Sequence, residues 1–105
     1  MTAREKEVLG IAINILKNKL NPPRIWLFGS RAEGRSRKES DFDLAVDIPA
    51  PEFRKQREIN DAVDEAIGLY EADIVYLGAI EESFRRLIEK TGKVVYERQN
   101  NRSAA

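Results

Sequence analysis

Asp41 and Asp43 stand one residue apart in the run Ser40-Asp41-Phe42-Asp43-Leu44-Ala45-Val46-Asp47. Side chains alternate across a strand, so both carboxylates project to one side, with Cα atoms roughly 6.5–7 Å apart. At that spacing they can lean onto one or two shared cations. Aspartate is depleted in strands, and like charges side by side oppose folding, so a cation is the simplest compensation. Asp47 lies further along the same face, where a solvated surface explains it equally well. Asp73 opens another apolar run, Asp73-Ile74-Val75-Tyr76-Leu77, and a charge there is otherwise costly. Upstream, Gly29-Ser30 follows the apolar stretch Trp26-Leu27-Phe28 and offers free backbone N–H groups to an anion. Arg31 comes next and can donate paired bonds to phosphate oxygens. Together these residues describe a site for divalent metal and a nucleoside triphosphate.

The rest of the composition narrows the chemistry. The chain of 105 residues has no cysteine and no histidine. Disulfides, thiol nucleophiles, zinc held by Cys or His, and histidine acid–base catalysis are therefore excluded. Any metal must be held by oxygen, which favours Mg²⁺, Mn²⁺ or Ca²⁺. Lys+Arg and Asp+Glu balance at 18 each, so bulk charge gives no argument for binding nucleic acid or membrane. Hydrophobic content of 42% with 34% charged residues describes a soluble globular chain of one domain, expected over residues 1–97 with a polar, frayed tail at 98–105. No apolar run approaches the ~20 residues of a membrane span, and a signal peptide is lacking, which places the expected location in the cytoplasm.

Helices and strands must bring the site residues together. Apolar positions from Val8 to Leu20 recur at helical spacing, predicting a helix over 2–20 that Asn21-Pro22-Pro23 stops. Arg24–Phe28 is short and rich in β-favouring types, so it reads as a buried strand. Residues 29–40 form a turn with at most one or two helical turns from Ser30. A second strand is expected over 41–48, its other face an apolar stripe of Phe42, Leu44, Val46 and Ile48. A helix over 52–69 with Phe53, Ile59, Ala62, Val63, Ala66 and Ile67 inward, a strand over 72–77, a helix over 80–90 and a short edge strand over 93–97 complete the pattern. The fold class is α/β (α+β): a mixed three- to four-stranded sheet flanked by helices. Asp43 and Asp73 can meet only if their strands are neighbours. Trp26, Phe28, Phe53, Tyr70 and Phe84 are expected in the core.

Gly29 to Ser36 nearly fits the phosphate-binding loop G-x-x-x-x-G-K-[ST], with Arg35 at the lysine position. That loop needs a long helix to follow directly, whereas here the chain passes almost at once into the strand of Asp41. The loop is rejected and phosphate binding is kept. Gly34 reads as an ordinary turn glycine. Arg35, Arg37 and Lys38 are as well suited to an acidic partner surface as to solvent.

The stretch Leu27-Phe28-Gly29-Ser30-Arg31-Ala32, then Gly34, then Ser40-Asp41-Phe42-Asp43-Leu44-Ala45-Val46 resembles the G-S…D-x-D signature of the DNA polymerase β-like nucleotidyltransferase superfamily. Within it the chain is most similar to the minimal nucleotidyltransferases of MNT/HEPN toxin–antitoxin pairs. The resemblance implies transfer of AMP from ATP to a hydroxyl with release of pyrophosphate. Asp41, Asp43 and Asp73 would be catalytic and would hold the metal, two Mg²⁺ ions or Mn²⁺ in their place. Gly29 and Ser30 would seat the phosphates of ATP, and Asp73 would help activate the hydroxyl. The implied partner is a HEPN-domain toxin whose tyrosine accepts AMP; nucleic acid and membrane are not expected as direct partners. Two alternatives stand beside this one: an antitoxin that neutralises its partner by contact alone, and a transferase with a small-molecule acceptor.

Overall fold

The computed structural model describes residues 1–99. Three helices and four strands alternate along it: α1 (Ala3–Leu20), β1 (Arg24–Phe28), β2 (Phe42–Val46), α2 (Phe53–Ile67), β3 (Ala72–Tyr76), α3 (Glu82–Thr91) and β4 (Lys93–Glu97). Short 3₁₀ turns follow β1 at Gly29–Arg31 and β3 at Leu77–Ala79. The second of these was not anticipated, and α3 starts two residues later than expected because of it.

The ends of α1 follow from its own residues. Thr2 accepts from the Glu5 backbone N–H (3.1 Å) while the Glu5 side chain accepts from the Thr2 backbone N–H (2.7 Å), a reciprocal cap of the first turn. At the far end Asn21 adopts the left-handed conformation and donates its backbone N–H to Lys17 O, after which Pro22 prevents continuation.

The strands form one mixed sheet in the order β3-β2-β1-β4. The β1–β2 and β1–β4 pairs are antiparallel, and β2–β3 is parallel. Alternation then sorts side chains by face. Ile25, Leu27, Phe42, Leu44 and Val46 join Val8, Leu16, Ile59, Val63 and Ile67 in the main core, beneath α1 and α2. On the other face Trp26, Phe28, Ala45 and Val75 surround a smaller core built on Leu77 and Ile88 of α3. One face is thus sealed by two helices and the other is only part-covered by one.

Two expected core aromatics lie elsewhere. Phe53 starts α2 and is 73% exposed, and Ala66 is also exposed, so the buried stripe of α2 is the narrower set Ile59, Val63 and Ile67. Phe84 sits at the edge of α3, 37% exposed, with its ring edge-on to Phe28 at 5.8 Å. Arg98, where the expected tail begins, donates its backbone N–H to Pro23 O and its guanidinium to Asn21 O, both at 2.9 Å. Residues 100–105 of that tail lie outside the described residues. Among those described, no helix is long and apolar enough to cross a membrane.

Candidate active site

The part-covered face carries the carboxylates. Phe28 and Asp43 are direct partners across β1 and β2, and Asp43 and Asp73 are direct partners across β2 and β3. The neighbour relation demanded of Asp43 and Asp73 is therefore met. Asp41 lies one residue ahead of β2, half-exposed, on the Asp43 side of the alternation. Asp73 is exposed and Asp43 half-buried.

Burial, then the charge of Asp73, then that of Asp41, push the Asp43 carboxyl above its ordinary value, while Arg31 pulls weakly the other way. A carboxylate so placed is crowded by its own kind. Among the described residues no three acidic side chains are gathered tightly enough to enclose an ion as they stand. The donor set nonetheless fits a hard divalent cation: every candidate donor is oxygen, and the crowding at Asp43 is what a bound cation would relieve.

Gly29 explains how the turn approaches this group. It has φ +73°, and a Cβ added there would overlap Asp43 Oδ2 and sit 3.2 Å from Asp43 Cγ. Only a residue without a side chain lets the backbone close against the carboxylate. Gly34 has nearly the same conformation, φ +74°, with nothing within 4 Å, which is the behaviour of a turn glycine. The 3₁₀ turn keeps the Gly29 carbonyl occupied by Ala32 and Glu33 N–H, both at 3.1 Å. No long helix follows it, as the rejection of the phosphate-loop motif required.

Arg31 was expected to hold phosphate, but its side chain is fully buried. Its Nε and Nη2 donate to Ser40 O at 3.1 and 2.7 Å, Nη1 donates to Glu5 Oε2 at 2.9 Å, and Cζ lies 4.1 Å from the Phe42 ring centroid. Each of its three guanidinium nitrogens already donates inside the protein. Asp47 pairs with Arg85 of α3, Oδ1 to Nη2 at 3.4 Å, and so stands apart from the other carboxylates. Glu5 is the participant that pattern reading missed. The Thr2-x-x-Glu5 spacing signals a helix cap, and nothing in it signals a second bond to a residue 26 positions away.

Beside the start of β2 and β3 a surface cavity of about 450 Å³ is lined by Lys38, Glu39, Ser40, Leu69, Tyr70 and Glu71. Its walls are tied by the Phe42 N–H bond to Glu71 O at 2.9 Å, directly next to Asp41.

Comparison with known proteins bears on the chain as a whole. Residues 12–101 match the family described as "Polymerase beta, Nucleotidyltransferase". A relative from Haemophilus influenzae, "Probable protein adenylyltransferase MntA", is 30% identical over 96 residues, which cover 90% of this chain and 84% of that one. A crystal structure of a toxin–antitoxin with AMP-PNP superposes with TM-score 0.72 at 24% identity, covering 86% of this chain and 73% of the other. The tri-AMPylated HEPN toxin of Shewanella oneidensis in complex with its MNT antitoxin gives a TM-score of 0.67 at 19% identity, covering 96% and 78%. At these identities the two solved structures speak for the fold.

Proposed function

Because this chain belongs to the polymerase β nucleotidyltransferase family, we propose that it is an MntA-like protein adenylyltransferase, which neutralises a HEPN-domain toxin by moving AMP from ATP to a tyrosine hydroxyl. The observation that carries this reading is the register of Asp43 with Asp73 on adjacent parallel strands, closed on one side by Gly29. The relatives whose printed names include adenylyltransferase, AMP-PNP and AMPylated HEPN toxin support the choice of donor and acceptor.

Asp41, Asp43 and Asp73 would hold the divalent metal, Mg²⁺ with Mn²⁺ as substitute. When bound, it neutralises phosphate charge and stabilises the attacking and leaving oxygens of an in-line displacement. The chain's own residues do the remaining work. Backbone N–H groups of the Gly29-Ser30 turn orient the β- and γ-phosphates. The acceptor oxygen forms a bond to the α-phosphorus, the bond to the β-phosphate oxygen breaks, and pyrophosphate leaves. Asp73, the most exposed carboxylate, receives the hydroxyl proton, a role no histidine is present to fill. An ATP-dependent reaction is compatible with a cytoplasmic location, and among the described residues no helix is long and apolar enough to cross a membrane.

The test is label transfer from α-labelled ATP to a purified HEPN partner with Mg²⁺ or Mn²⁺. Wild type labels a tyrosine, and Asp41→Asn and Asp43→Asn do not. An unlabelled partner under every metal, or Asn variants that neutralise the toxin as well as wild type, would refute catalysis and leave contact alone as the means of inhibition.

A further inference from the structure

Arg31 holds Asp41 from both sides. The residue before Asp41 gives its carbonyl to Arg31 Nε and Nη2, and the residue after it, Phe42, lays its ring against the guanidinium. The backbone of Arg31 itself ends the 3₁₀ turn that begins with Gly29 and Ser30. One side chain therefore spans the otherwise irregular segment between the turn and the first carboxylate. We propose that Arg31 and Glu5 form a positioning pair that sets the distance between the phosphate-seating turn and Asp41, with Glu5 anchoring the guanidinium to α1.

Glu5 is suited to that task because it is itself held. Its Oε1 accepts from the Thr2 N–H and its Oε2 from Arg31 Nη1. These bonds, the Thr2 backbone first and Arg31 next, lower its pKa to about 2, so it stays charged at any physiological pH. The first turn of α1 is thus tied to the start of β2 through one guanidinium. A buried ion pair adds little net stability over apolar side chains of the same volume. What it does supply is direction: two donors on one carbonyl, one on a carboxylate and a face on a ring admit a single placement. Lysine has one donor group and no plane, so Arg31→Lys keeps the charge and loses the geometry. The Arg31 side chain is fully buried and Glu5 is held by Thr2 and Arg31, so both act through Asp41 and the turn.

The inference rests on the transferase reading, and three measurements separate the two. Backbone hydrogen exchange over residues 32–41 is expected to quicken about tenfold in Arg31→Lys and Glu5→Gln, with the sheet unchanged. Affinity for a non-hydrolysable ATP analogue is expected to stay within about threefold of wild type. AMP transfer at saturating ATP is expected to fall about tenfold to a hundredfold, since displacements near 1 Å carry such losses. Should Arg31→Lys fail to fold, the isosteric Glu5→Gln still decides. Unchanged exchange over 32–41 overturns the positioning pair. So does weaker analogue binding with full transfer at saturation, which would make Arg31 a phosphate ligand. If wild type transfers nothing, the transferase reading fails, while exchange still decides the pair.

Discussion

Replacing Gly29 by alanine offers the sharpest test of the site. The substitution does two things at once. It forces an L-residue to φ +73°, which costs about 1–2 kcal/mol. It also drives a methyl group into Asp43 Oδ2 and to 3.2 Å from Asp43 Cγ, so the carboxylate must yield by about 1 Å to restore ordinary contact. A misplacement of about 1 Å costs on the order of a hundredfold in rate, or about 2.7 kcal/mol of barrier. Gly34→Ala supplies the control, because φ there is +74° and no atom lies within 4 Å of the added Cβ. Both variants are expected to lose about 1–2 kcal/mol in urea unfolding from conformation alone. Only Gly29→Ala should lose about a hundredfold in AMP transfer, measured as initial rate at saturating ATP well below its melting temperature. If Gly34→Ala is equally inactive, or Gly29→Ala keeps a third of the wild-type rate, the close approach of turn and carboxylate has no catalytic role.

Three further outcomes follow from the same structure. Asp43→Asn should melt higher than wild type in EDTA at neutral pH, while losing transfer, because the ionised Asp43 is disfavoured by burial and by Asp73 and Asp41. Its folded pKa is raised, so its contribution to stability is present at low pH and lost as pH rises through that raised value. The gap between variant and wild type should therefore close below pH 3.8, and a gap of the opposite sign at neutral pH would refute the crowding. For Glu5 the sign reverses: its folded pKa is depressed, so the stability lost in Glu5→Gln should be full above pH 4.5 and vanish as pH falls to about 2. A pH-independent difference in urea midpoints would show that the carboxylate charge is not what α1 contributes. Tyr76 is 6% exposed and its hydroxyl has no partner within the described residues. Tyr76→Phe should gain about 1 kcal/mol and raise Tm by about 4–8 °C; a lower Tm would mean the hydroxyl is satisfied.

Much of this protein was legible without coordinates because its signals are local. The 3.6-residue spacing of Val8, Ala12 and Leu16, the proline stop at Pro22, and the alternation of Phe42, Leu44 and Val46 each specify a face, and the structure buries each of them. Strand β1 and the edge strand β4 occur with the bounds their composition implies. Asp41, Asp43 and Asp73 could be singled out because a charge is expensive in an apolar strand unless something requires it, and Gly29 because a turn at a strand exit offers free backbone N–H groups to an anion. Tertiary structure decided what depends on neighbours distant in sequence. The parallel register that sets Asp73 beside Asp43 is chosen by how the β2–α2–β3 crossover packs on the core, and no single strand encodes it. Arg31 shows the limit most clearly. Beside a glycine turn an arginine reads as a phosphate ligand, yet Glu5 of α1, Ser40 of the preceding loop and Phe42 of β2 surround it, and each of its three nitrogens donates to Glu5 or Ser40. A guanidinium bonds whatever acceptors the folded chain brings within about 3 Å, and that is settled by packing rather than by its place in the sequence.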